Sequence, residues 1–220
     1  MPLHFDAIAP SLPYILEGAL VTLKFTFFSL LLGLPLAILL AVSYASSSKT
    51  VSVIAKSYVS IFRGTPLLVQ LGLFYFGIPQ ITGYRMSAFE AGVLTFALNS
   101  AAYSCEIIRS GIASIDKGQW EACQVLGLNK FQTFRYIILP QAFSNILPAL
   151  VNELVNLLKE SALVSTIGEL DLLKRANNVA AEKFLYFEPL IVVGLCYYIL
   201  VMIISYFASR LEKSMNYASH

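Results

Sequence analysis

Apolar residues along this chain fall in long blocks, not in the narrow stripes of a helix half-buried in a soluble core. A helix needs about 20 apolar residues to cross a hydrocarbon layer about 30 Å thick. Five stretches meet that need, at about 14–44, 53–78, 87–112, 136–158 and 185–211. The first is most apolar after Lys24, from 25 to 42, and holds Pro35, which is expected to kink it while neighbouring helices compensate. The second holds Arg63-Gly64-Thr65-Pro66, and a turn with Pro79 and Gly83 leads from it to the third. Between the third and fourth, about 114–135, the pattern becomes mixed and amphipathic, too polar to span. The stretch 159–183 is mixed again, with Gly168 as a turn. The pattern predicts an all-α integral membrane protein, one domain over 1–220, with five transmembrane helices.

Composition narrows the class. Hydrophobic residues make up 57% and charged residues 13% of the 220 positions. A soluble domain carries about 25% charged residues. The net charge of +2 gives no nucleic-acid footprint. Cys105, Cys123 and Cys196 are odd in number and widely spaced, which suggests apolar fillers and neither a disulfide framework nor a metal site. The only histidines, His4 and His220, stand at the chain ends, so no histidine base or ligand sits in a span. Neither an HExxH motif nor a Walker A loop occurs, so a membrane enzyme finds no support and this chain does not cradle ATP in that way.

Orientation follows from the cations. No Lys or Arg precedes Lys24, which argues against a cleaved signal peptide and favours a translocated N-terminus. With the N-terminus outside, inner segments carry Lys49, Lys56, Arg109, Lys117, Lys130, Arg135, Arg210 and Lys213. Outer segments carry Arg85, Lys159, Lys174, Arg175 and Lys183. Eight against five favours N-out and C-in. No internal repeat of the secondary-transporter kind is visible.

The most informative stretch runs from Gly118-Gln119-Trp120-Glu121-Ala122-Cys123-Gln124-Val125-Leu126-Gly127 to Ile137-Ile138-Leu139-Pro140. It reads as a short inner-side helix stopped near Gly127, where glycine permits the left-handed turn. Val125, Leu126 and Leu128 offer apolar surface, Glu121 and Gln124 polar contacts, and Trp120 is the only tryptophan. Such a helix suits a partner's groove; by pattern alone it equally suits the bilayer surface.

The spacing of Glu121, Ala122, Gly127, Ile137, Leu139 and Pro140 resembles the signature loop of ABC importer permeases. Cys123 stands where that family usually has a second alanine, a small apolar exchange. Phe62-Arg63-Gly64-Thr65-Pro66-Leu67-Leu68-Val69-Gln70, Asn99-Ser100-Ala101-Ala102-Tyr103 with Glu106, and Leu158-Lys159-Glu160-Ser161-Ala162-Leu163 are similar to polar amino acid permeases. The resemblance covers nearly the whole chain. It implies the type I ABC importer permease fold in a bacterial inner membrane, with 114–135 holding a cytoplasmic coupling helix. Trp120, Glu121, Ala122 and Gly127 would then serve ATPase coupling. The implied partners are an ATPase dimer carrying ATP and Mg, a periplasmic amino acid-binding protein, and a second permease subunit, identical or not. This chain itself would bind no cofactor or metal.

Ionisable residues inside a span are costly and usually face the bundle or a wet cavity. Glu153, Asn156 and Glu160 lie at i, i+3 and i+7 on one helical face; Asn99, Tyr103 and Glu106 lie at i, i+4 and i+7 on another. Facing stripes of this kind can line a passage, with Glu153 or Glu160 receiving an ammonium or guanidinium group and Asn99, Tyr103 and Asn156 supplying neutral hydrogen bonds. Backbone amides or Arg63 remain for the substrate carboxylate. The competing readings are an internal Glu106–Arg109 pair, a surface Glu160, and asparagines that only hold helices together. Two acids lean toward a basic or amide amino acid. Buried acids would also suit an ion-driven carrier or channel, but such a protein needs no coupling helix. A purely structural membrane protein leaves both polar stripes unexplained.

Overall fold

The computed structural model describes residues 3–216, with side chains to residue 210. The side chain of Lys213 and the whole of His220 lie outside that range. A short turn at Phe5–Ile8 enters α1 (Leu12–Tyr44), which runs through Pro35 without interruption. Then come α2 (Lys49–Gly64), α3 (Leu67–Thr82), α4 (Ala88–Ala113), α5 (Lys117–Val125), α6 (Leu139–Glu160), α7 (Leu172–Lys183) and α8 (Phe187–Asn216).

The heart of the bundle is the pair α1 and α4. Small buried residues recur on the contact face of α1 (Ser29, Gly33, Ala37, Ala41) and of α4 (Gly92, Ala97, Ala101, Cys105). In lipid, helices associate through close packing because the tails are as apolar as leucine, so small residues let backbones approach. A Cβ at Gly33 would stand 2.9 Å from the Ala97 carbonyl oxygen. Phe25 fills the wider upper part, edge-on to Phe96 at 4.8 Å between ring centroids. Ser87 and Glu90 cap the start of α4 reciprocally, which satisfies two otherwise orphaned N–H groups.

Helix α6 runs antiparallel to α4. Leu157 meets the cluster around Phe96, Ile146 presses on Gly111, and Asn145 Nδ2 donates to Ser114 Oγ at 2.9 Å. The amphipathic α7 lays Leu172, Ala176, Val179 and Ala180 inward, and the first three cluster with Ile8 and Ile15 at the start of α1. Gly18 makes room: a Cβ there would lie 2.7 Å from the Leu172 backbone.

The second apolar block departs from the expected single span. It forms two helices, α2 and α3, bent by 103° at the break. Thr65 and Pro66 are extended, as a residue before proline prefers. Pro66 has no N–H, so the Phe62 carbonyl loses its i+4 donor. Side chains replace it: Gln70 Nε2 donates to Phe62 O at 2.8 Å and to Thr65 O at 3.1 Å, and Asn99 Nδ2 donates to Phe62 O at 3.2 Å. Three single helices are long and apolar enough to cross a membrane, and the bent pair makes a fourth candidate. Helix α6 falls short of that mark because its exposed face is polar.

Candidate functional site

Two surfaces carry the chemistry. The first is α5. Asp116 caps it, its carboxylate accepting from Gly118 N–H at 2.6 Å. Its far end closes with Leu128 N–H to Cys123 O and Gly127 N–H to Gln124 O, both 3.0 Å, with Gly127 at φ +73°. That double bond pattern stops a helix sharply and needs the left-handed residue that glycine provides. The helix is thereby fixed at both ends. It exposes Glu121, Ala122, Val125 (88%) and Leu126 (76%) together. Cys123 is buried. Trp120 packs inward on the cluster of Ile115, Ile138 and Ala142, so it holds α5 against α6.

The second surface is the groove between the α2–α3 break and α6, floored by α4. Asn99 is buried, and its amide is committed to Phe62 O and to Gln70 Oε1, the latter at 3.0 Å. It braces the break. Tyr103 is partly open, with the Arg63 guanidinium over its ring at 5.4 Å. Glu106 is shared: Arg109 holds it at 3.3 Å and Arg63 at 4.0 Å. Across the groove Glu153 is half-buried and faces Ser100, while Asn156 and Glu160 are exposed. The structure therefore brings Tyr103, Arg63 and Glu153 to α4 and its flanks, and turns Asn99 to bracing.

A longer stripe lay outside the sequence reading. Gln141, Asn145, Asn152, Asn156 and Glu160 are all exposed along one face of α6. Their spacing of three and four residues, once Pro148 is included, was visible in the sequence, but neutral amides draw less notice than acids. A bare amide face on a membrane helix needs a partner helix or water. A cavity of about 400 Å³ lies elsewhere, near the start of α4, lined by Phe28, Leu32, Phe89 and Val93 with Glu90 as its one charged residue. Its walls are too apolar to recognise a polar solute, so it does not compete with the groove.

A helical membrane bundle that buries its small-residue seam, leaves a polar groove open and holds out a doubly capped amphipathic helix is built to move a solute under control of a partner. Residues 33–217 match the binding-protein-dependent transport system inner membrane component family, and the chain belongs to it. It has the type I ABC importer permease fold and is the permease subunit of such an importer, a non-enzymatic part whose ATPase is a separate subunit. It is 51% identical over 206 residues, 94% of each chain, to the putative glutamine transport system permease protein GlnP of Rickettsia typhi. It is 46% identical over 216 residues, 98% of this chain and 99% of the relative, to the arginine transport system permease protein ArtQ of Bacillus subtilis. Among solved structures, a chain of an amino acid ABC transporter with histidines superposes at TM-score 0.92 with 42% identity, covering 97% of this chain and 100% of that one. The MetNI methionine ABC transporter, inward facing, matches at TM-score 0.75 and 22% identity over 94% of this chain and 98% of that one, a likeness of fold alone.

Proposed function

We propose that this permease imports polar amino acids across the bacterial inner membrane, with its N-terminus outside, α6 as a fifth crossing, and a second permease subunit beside it. The observation that carries the reading is the polar groove, where Tyr103 of α4, with Arg63 over its ring, lies on the helix that packs against α6 with its half-buried Glu153 and exposed amide stripe. Glu153, with Glu160 above it, receives the cationic end of the substrate; Tyr103 and Asn156 add hydrogen bonds; Asn99 holds the α2–α3 break in place. Charge-assisted bonds are roughly twice as strong as neutral ones, so Glu153 contributes most. The names of the relatives, glutamine and arginine permeases, support an amide or basic side chain as cargo.

Coupling runs through α5. ATP and Mg sit on the ATPase dimer; its closure draws the two copies of α5 together through Glu121, Ala122 and the turn at Gly127, with Val125 and Leu126 as apolar contact. The spans rock and the groove opens outward to the periplasmic binding protein. Each event must favour one state over the other for this to be coupling. Proteoliposomes holding the chain, its ATPase and labelled amino acids test the reading, with and without Glu153→Ala. ATP-dependent accumulation of one substrate class, lost in the variant, is expected. Accumulation without any ATPase would make the chain an ion-driven carrier or channel.

A further inference from the structure

The inner end of the bundle holds two lysines, Lys49 and Lys56, that the transport reading does not use. Lys49, Lys56 and Arg63 follow one another at i, i+7 and i+14, so they share a line along α2. Tyr44, the last residue of α1, stands between two of the cations: Lys56 Nζ lies 5.1 Å and the Arg109 guanidinium 4.1 Å from its ring centroid. Ser52 Oγ donates to Tyr44 O at 2.9 Å and fixes the seam. The carboxylate at hand is Glu106, already bound to Arg109 and Arg63. Neither Lys49 nor Lys56 has an ion-pair partner among the described residues. Lys49 also sits in the first turn of α2, where the helix dipole disfavours a cation and attracts an anion. Beside these cations the wall is apolar at Val53, 51% exposed, four residues on from Lys49 and three before Lys56 on the same helical face.

We infer that this seam is a binding site for an anionic phospholipid of the inner leaflet, its phosphodiester held by Lys49, Lys56 and Arg109 beside Tyr44, with an acyl chain laid along Val53. Basic pockets between membrane helices on the cytoplasmic side suit such headgroups, and tyrosine favours the same depth. A free phosphate would satisfy the cations but leave the wall uncovered.

Native mass spectrometry of the full chain, released from nanodiscs containing equal phosphatidylglycerol and phosphatidylcholine, tests the site. The wild type is expected to retain phosphatidylglycerol selectively, also with inorganic phosphate in excess. Lys49→Gln with Lys56→Gln is expected to lower that retention about twenty-five-fold, at about five-fold per lysine. Lys183→Gln, at the other end of the bundle, leaves it unchanged. Lys56→Arg, which keeps the charge, retains the lipid and guards against misfolding of the paired variant. Equal retention of both lipids by the wild type, or an unchanged preference in the paired variant, overturns the proposal; displacement by inorganic phosphate overturns it in favour of a free-anion site. No substrate or ATP enters the experiment, so failure of the transport reading would show separately.

Discussion

The face that α4 turns to α1 and the face that α6 turns outward are opposite solutions to one problem. Both helices sit in a bundle where lipid offers no hydrophobic reward for association. The α1–α4 seam settles its contacts within the chain, with Gly33 on the Ala97 carbonyl and Phe25 on Phe96. The outer face of α6 settles little: Asn145, Asn152 and Asn156 stand exposed, and of these three only Asn145 has a side-chain partner among the described residues, Ser114. Helix α5 shares that incompleteness, closed at both ends yet bare at Val125 and Leu126. One region specifies the subunit, the others specify its company.

The sharpest way to break this contrast is Glu121→Lys on α5. Reversing the charge of the proposed docking face should reduce ATP-driven uptake to background, while insertion and thermal stability of the isolated subunit stay as they were. Uptake near the wild-type rate would remove α5 from coupling. The next effect is smaller and falls on the other region. Gly33→Leu forces a side chain onto the Ala97 carbonyl. Overpacking of this kind costs about 1–3 kcal/mol or more, and each kcal/mol moves the midpoint of a chain this size by about 2–4 °C. The isolated subunit in detergent should show that loss directly. Asn152→Leu provides the counterpart: no loss in the isolated subunit, but a weaker assembled transporter on size-exclusion chromatography. If Asn152→Leu destabilises the isolated chain, the α6 face is already satisfied and the contrast fails.

The Pro66 break sits between the two regimes. Gln70 and Asn99 hold the same carbonyl and each other, so Gln70→Leu and Asn99→Leu should each cost about 1–3 kcal/mol through an unsatisfied buried group. Their sum should exceed the double variant by at least about 0.5 kcal/mol, the signature of a shared network in a double-mutant cycle.

How much of this the sequence disclosed depended on whether the cause was local. The apolar blocks, the Gly127 stop and the Glu121–Pro140 spacing are local, and the helices and capped α5 follow from them. The 103° bend was not legible, because an apolar run with a proline fits a kinked span as well as two helices. What decides between them is Gln70 and Asn99, and Asn99 lies 37 residues from Phe62. The same distance effect moved Asn99 from the expected groove to the brace. Trp120 was turned inward by Ile138 and Ala142, partners beyond α5 that spacing within that helix does not reveal. The fold was thus readable where one helix determines it, and the candidate site only where no second helix claims the side chain.

The smallest effect concerns α7, on the settled side of the comparison. Asp171 is fully buried at its N-cap, accepting from Lys174 N–H at 2.8 Å and from Tyr197 O–H at 3.4 Å. Burial, with some repulsion from Glu169, pushes its carboxyl up to about 6 from an ordinary 3.8. Between those values the folded chain keeps a proton that the unfolded chain has released. Stability therefore falls as pH rises through that window and is level above it. An asparagine at this position would keep the cap, since its amide oxygen can still accept from Lys174, but would carry no charge to desolvate. The variant Asp171→Asn should match the wild type near pH 4, gain on it up to about pH 6, and hold a constant lead above that, read as thermal midpoints in detergent. Parallel curves across that range would mean that Asp171 is solvated in the folded state and that the α1–α7–α8 junction is looser than its packing indicates.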